Sequence, residues 1–106
     1  MDQLQKKRIL TKKSELLKII AHPMRLCILS CLIDESCNVT YLVEKMNIPQ
    51  STISQHLSKL RMAGLIVGER NGVEITYSIS NTEIISLIGL LLQDSEELEL
   101  ITENIN

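Results

Sequence analysis

The sequence predicts a mainly α-helical domain that carries one small β-hairpin before a final helix, and three observations point there. Of its 106 residues 44% are apolar but only 2% are aromatic, so the core must be aliphatic, built from Leu, Ile, Val and Met. Four glycines and two prolines leave long uninterrupted stretches, which favours helices over a loop-rich fold. The apolar spacing is helical to about residue 63, becomes β-branched and alternating around an Asn-Gly pair, and then turns helical again.

Each element has a local reason. Residues 3–20 read as a helix in which Leu4, Ile9, Leu10, Leu16, Leu17 and Ile20 are set among lysines. Pro23 suits the first turn of a second helix, because its missing N–H has no helical partner there. That helix extends to Ile33 through Leu26, Ile28, Leu29 and Leu32, and the polar run Asp34-Glu35-Ser36-Cys37-Asn38 ends it. A short third helix over 39–46 turns Leu42, Val43 and Met46 inward. Asn47-Ile48-Pro49 makes a tight turn, and a fourth helix runs over 50–63 to a stop at Gly64.

Segments 65–70 and 73–79 read as strands joined by Asn71-Gly72, two residues that both accept the positive φ of a two-residue hairpin turn. A last helix starts at Asn81 or Thr82, either of which can cap it, with Glu83 favourable in the first turn. Leu98, Ile101 and Ile105 keep a helical spacing, so the helix is expected to continue or restart in the acidic tail. The order is α-α-α-α-β-β-α, in a single domain spanning 1–106.

The net charge of −2 hides a gradient: +5 over residues 1–33, −1 over 34–80 and −6 over 81–106. A basic arm near a polyanion with an acidic tail held away from it is one reading, and solvated helix faces are the other. Overall charge decides nothing about DNA binding, because the local field at a contact face is what acts. No apolar run reaches membrane-spanning length, and the N-terminus carries Lys6, Lys7 and Arg8 rather than an apolar leader. The expectation is a cytoplasmic protein with no membrane partner. Its three cysteines, without the dense spacing of a disulfide scaffold, should sit there as thiols. Enzymatic chemistry is not expected, since no paired carboxylates, activated nucleophile or phosphate loop occurs, and a serine near His56 lacks an orienting acid.

Two short helices joined by a tight turn and followed by a hairpin have the layout of a winged helix-turn-helix. In helical projection Ile53, Leu57 and Leu60 fall within about 60° of one another, a narrow stripe that anchors the fourth helix and leaves its other sides free. Its first free residues, Gln50, Ser51, Thr52, Ser54 and Gln55, offer donors and acceptors without bulk. That suits base edges in the major groove, although serines and glutamines also open ordinary exposed helices. His56 borders the stripe and reads as a half-buried packing residue or a phosphate contact. His22 reads as a turn or cap residue.

The motifs then become specific. Ala21-His22-Pro23-Met24-Arg25-Leu26, Pro49-Gln50-Ser51-Thr52-Ile53-Ser54-Gln55-His56-Leu57 and Leu60-Arg61-Met62-Ala63-Gly64-Leu65-Ile66 precede the Asn71-Gly72 hairpin in order. Together they resemble the ArsR (arsenic-repressor) family from about Leu16 to Ile79, and the first two resemble its PagR-type subgroup. The resemblance implies a dimer with one recognition helix per subunit, bound to double-stranded DNA and repressing a promoter. It implies base-facing positions at Gln50, Ser51, Ser54 and Gln55, with Val39 beside them. Thr40, Lys45, Lys59 and Arg61 are chosen as phosphate contacts by charge and position. Arg70 and Asn71, at the wing tip, are expected to reach phosphate or the minor groove.

Many members of that family sense metals, so the ligands were sought individually. One family site runs Glu-Leu-Cys-Val-Cys-Asp-Leu, where this chain has Glu35-Ser36-Cys37-Asn38-Val39-Thr40-Tyr41-Leu42; Cys37 matches, but Val39 stands at the second thiolate position. A single thiolate does not hold a soft ion that needs three or four ligands. The other family site uses Asp and His on the last helix, and residues 81–106 contain no His. No metal and no cofactor are therefore expected. Cys27 and Cys31, spaced i,i+4, together with Cys37, remain candidate redox thiols; the alternative is that they pack as small apolar residues.

A last helix that is apolar nearly all round calls for a partner. Leu17, Ile84, Ile85, Ile88, Leu91 and Leu92 are expected to meet their copies across a two-fold axis, since each Leu or Ile fully buried contributes about 1.5–3 kcal/mol. A homodimer would set its recognition helices roughly 34–36 Å apart, matching an inverted-repeat operator. The rival reading is a winged-helix module that binds protein and never DNA.

Overall fold

The computed structural model describes residues 1–93, so the expected helical continuation at Leu98, Ile101 and Ile105 lies outside the described residues. The order is α1 (Gln3–Ile20), α2 (Pro23–Asp34), β1 (Cys37–Asn38), α3 (Val39–Met46), α4 (Gln50–Met62), β2 (Ile66–Asn71), β3 (Glu74–Ile79) and α5 (Thr82–Leu91). This is the expected mainly α fold with a β-hairpin wing.

The helix ends follow from side chains that satisfy otherwise orphaned backbone groups. Asp2 and Gln5 form a reciprocal capping box on α1: Gln5 N–H donates to Asp2 Oδ1 at 2.7 Å, and Asp2 N–H donates to Gln5 Oε1 at 3.2 Å. His22 caps α2, its Nδ1 accepting from Met24 N–H, and Pro23 follows in the first turn. Asn38 caps α3 through Tyr41 N–H, and Asn47 ends it in the left-handed region at φ +53°. Past α4, Gly64 takes φ +77° and Leu65 N–H donates back to the Leu60 carbonyl at 3.0 Å, the six-residue closure that a left-handed glycine permits. Asn81 rather than Thr82 caps α5, its Oδ1 accepting from Ile84 N–H.

The sheet departs from expectation in two ways. It has three strands in the order β1-β3-β2, all antiparallel, because the polar run after α2 includes a two-residue strand, with Cys37 opposite Tyr77 and Asn38 opposite Thr76. In the hairpin, Asn71 is still in the ladder, opposite Glu74, so the two turn residues are Gly72 and Val73 rather than Asn71 and Gly72. Gly72 alone has positive φ (+70°), the pattern of a turn with glycine at its first central position. The register that shifts the turn also sets Gly68 opposite Tyr77. A Cβ at Gly68 would lie 3.0 Å from Tyr77 Cε1, so only glycine leaves the ring its seat.

The core is one aliphatic cluster. Ile28 and Leu29 of α2, Leu42 of α3, Ile53, Leu57 and Leu60 of α4, Leu65 and Ile66 at the start of the wing, and Ile84 and Ile88 of α5 are all essentially sealed from solvent. This corrects the reading of α5. Ile84 and Ile88 belong to the core of the chain itself, because α5 lies on α2 and turns that edge inward. On these two terminal helices the exposed apolar residues are Ile85, Leu90 and Leu91 of α5, and Leu4, Ile9, Leu10 and Leu17 of α1, whose one buried residue is Ile20.

Candidate nucleic-acid interface

The α3–turn–α4 unit and the wing present one set of exposed polar groups. Ile53, Leu57 and Leu60 are 0–2% exposed and pin α4 to the body. Gln50, Ser51, Ser54 and Gln55, outside that buried stripe, are all exposed. Among the described residues their side chains make no hydrogen bond, which leaves their donors and acceptors available to a ligand. Pro49 precedes α4 without a side-chain cap, and while Thr52 N–H donates to the Pro49 carbonyl, the N–H groups of Gln50 and Ser51 are unspent, an arrangement favourable to an anion.

The remaining expected contacts separate by position. Thr40, Lys45, Lys59 and Arg61 are exposed on α3 and α4. Val39 is half-buried and packs against the core, so little of it is left to face a base. Arg70 and Asn71 are exposed on β2, one and two residues behind a tip formed by Gly72 and the fully exposed Val73. Glu74 is drawn away from the tip by Asn38, whose Nδ2–H donates to Glu74 Oε1 at 2.6 Å while its Oδ1 caps α3. One asparagine thus ties the first helix of the pair to the wing.

A polar cluster behind α4 was not legible beforehand. Arg25 is only 9% exposed although its helix is otherwise apolar there. Its Nε–H donates to His56 Nδ1 at 3.2 Å and its Nη1–H to the Ile19 carbonyl at 2.9 Å. The His22 and His56 rings lie 4.6 Å apart between centroids, tilted by 52°. Burial, then the neighbouring His22, Arg25 and Lys59, push the His56 imidazole below the ordinary histidine value. The only advance signal was an arginine inside an apolar helix stretch, two residues after a proline.

The thiols sit on the far side of α2. Cys27 and Cys37 are buried and Cys31 half-buried, and none of the three is joined in a disulfide. A hydrogen bond with Cys27, followed by burial, drives the Cys31 thiol far above its ordinary value. Burial, and after it the charges of Glu35 and Asp34, also raise Cys37, whose Sγ–H donates to the Glu35 carbonyl at 3.3 Å. Among the described residues no three His, Cys, Asp or Glu side chains converge as metal ligands, and no single helix is long and apolar enough to cross a membrane.

Comparison with known proteins agrees with this geometry. The model of the bacterial regulatory protein family arsR matches residues 22–67. The chain is 46% identical over 79 residues to the transcriptional repressor PagR of Bacillus anthracis, covering 74% of this chain and 79% of that protein. The PagR crystal structure superposes with a TM-score of 0.73 at 43% identity, over 80% of this chain and 98% of that one. The structure of reduced HlyU from Vibrio cholerae superposes with a TM-score of 0.80 at 34% identity, over 84% and 94%. HlyU of that species, a transcriptional activator, is 38% identical over 76 residues, covering 72% of this chain and 70% of that protein.

Proposed function

The chain belongs to the arsR family of bacterial regulatory proteins and is a DNA-binding transcriptional regulator, not an enzyme; we propose that it is a homodimeric repressor of an inverted-repeat operator. The observation that carries this reading is the start of α4, where Gln50, Ser51, Ser54 and Gln55 stand exposed and unspent on a helix anchored by a buried stripe. Glutamine pairs bidentately with adenine, and serine bonds either kind of base edge. The unspent N–H groups at the start of α4 and the side chains of Thr40, Lys45, Lys59 and Arg61 supply phosphate contacts, with Arg70 and Asn71 reaching the backbone or minor groove from the wing. Repression follows by occlusion of the promoter; the relative PagR is, by its name, a transcriptional repressor. Action on chromosomal DNA places the protein in the cytoplasm.

The dimer rests on surface the subunit leaves uncovered. Leu17, Ile85 and Leu91 are 51%, 41% and 52% exposed, and Leu4, Leu10 and Leu90 more so. Apolar patches of this kind mark interaction sites. Leu92 is half-buried at their edge, and a two-fold pairing through α1 and α5 covers the set. The raised thiols of Cys31 and Cys37 and the buried Cys27 favour a packing role over thiol-responsive regulation, since the thiolate is the reactive form.

The test is retention of an inverted-repeat duplex as salt is varied. Phosphate-based binding gives log affinity falling linearly with log salt. Gln55→Ala, at an exposed side chain with no hydrogen bond inside the subunit, should leave the dimer intact and weaken each subunit's operator contact by about 1–3 kcal/mol. A protein that retains no duplex at low salt is an interaction module for other proteins, and the reading falls.

A further inference from the structure

Among the described residues Arg25 is the one buried charge, and its two hydrogen bonds run to two elements that DNA recognition must coordinate. One bond reaches the last turn of α1 at the Ile19 carbonyl, and the other reaches α4 at His56. His56 follows Gln55 directly and lies two residues beyond Ser54, on the helix that presents both.

The bond to His56 has a chemical condition. A guanidinium only donates, so the ring nitrogen facing it must keep its lone pair, and the neutral ring carries its proton on Nε2. Protonation of Nδ1 turns that acceptor into a second donor aimed at a cation. The charged and titratable groups acting on His56 are all basic: Arg25 from α2, His22 from the joint between α1 and α2, and Lys59 from α4 itself. The α1 end supplies the Ile19 carbonyl, which already accepts from Arg25, and neither α3 nor β2 adds a charge that acts on the ring.

We infer that the Arg25–His56 hydrogen bond is a latch that holds α4 against α2 in its DNA-reading pose, with Arg25 as the positioning residue, and that proton uptake at His56 opens it. The consequence for DNA rests on the function proposed above; the latch itself does not. Because the folded protein holds His56 below its ordinary value, the latch is intact above that value and is lost as the pH falls through the lowered one. A direct contact between protonated His56 and a phosphate would act in the opposite sense, tightening binding in acid.

The experiment is a pH titration of the full chain from pH 8 to pH 5, at constant ionic strength, read in two ways. By nuclear magnetic resonance of the free protein, the backbone amides of α4 should shift with the same midpoint as the His56 ring. In Arg25→Gln that midpoint should move up, since one of the cations opposing protonation is gone. In operator binding, affinity should fall on acidification with a limiting slope of about one decade per pH unit per bound subunit. His56→Asn, whose amide oxygen replaces the acceptor at Nδ1 but does not titrate, should abolish the slope. Amides in α4 that ignore the His56 titration overturn the latch whatever DNA does, as does affinity that rises in acid. Failure to bind any operator at pH 7.5 removes the regulatory reading instead, and the free-protein titration still decides the latch.

Discussion

Replacing Gly68 by alanine puts the seating of the wing to a quantitative test. Glycine in a strand interior is worse than alanine by about 0.5–1 kcal/mol, and the backbone at Gly68 is not left-handed, so on conformational grounds the change should stabilise. Packing argues the other way. The new Cβ would stand 2.9 Å from Ile75 Cγ2 and 3.0 Å from Tyr77 Cε1. Ile75 Cγ2 is attached directly to a branched β-carbon and moves only if χ1 or the strand moves. Overpacking of this kind costs about 1–3 kcal/mol. The difference is a net loss of roughly 1 kcal/mol, a drop of about 4–8 °C in Tm for a domain of this size. Urea denaturation followed by circular dichroism measures it directly. Repeating the substitution in an Ile75→Ala background, where the nearer clash is gone, should shrink the penalty by about 0.5 kcal/mol or more. A Gly68→Ala protein as stable as its parent, or more stable, would show that the ring and the isoleucine do not sit where the register puts them.

Two further expectations concern the asparagine that joins α3 to the wing and the sheltered thiols. Asn38→Ala loses both the cap of α3 and the bond to Glu74, and should cost about 1 kcal/mol in urea denaturation. Asn38→Asp, which keeps the capping oxygen but sets a carboxylate against Glu74, should recover the cap and still loosen the wing; equal stability of all three proteins would refute the link. For the thiols, native protein at pH 7.5 should react with iodoacetamide far more slowly than urea-unfolded protein, and rapid native labelling of Cys31 would refute the packing role. Their raised values also set a sign: above about pH 8.5 the unfolded chain releases thiol protons that the folded chain retains, so stability should fall as the pH rises.

The amino-acid sequence by itself determined the elements and the outward side of the recognition helix, because both are encoded locally. Pro23 opens a helix, Gly64 closes one with a left-handed turn, and Asn81 or Thr82 caps the last, each through backbone groups within a few residues. The spacing of Ile53, Leu57 and Leu60 is a property of one helix, and it fixes which edge of α4 is buried and leaves Gln50, Ser51, Ser54 and Gln55 outside that stripe. What no local pattern carries is the identity of a neighbour. A two-residue strand at Cys37–Asn38 has no periodicity to announce it and exists because β3 offers an edge. The hairpin turn lies one residue further on, in the register that sets Gly68 opposite the Tyr77 ring, a match made across strands. An α5 that is apolar nearly all round cannot declare which side is its own core; only its docking on α2 assigned Ile84 and Ile88 inward and left Ile85 and Leu91 exposed. Arg25 and His56 are 31 residues apart, and nothing short of the packing of α2 on α4 makes a hydrogen bond of them. Periodicity and caps act along the chain, whereas register, docking and polar pairing are settled between segments that meet only once the chain has folded.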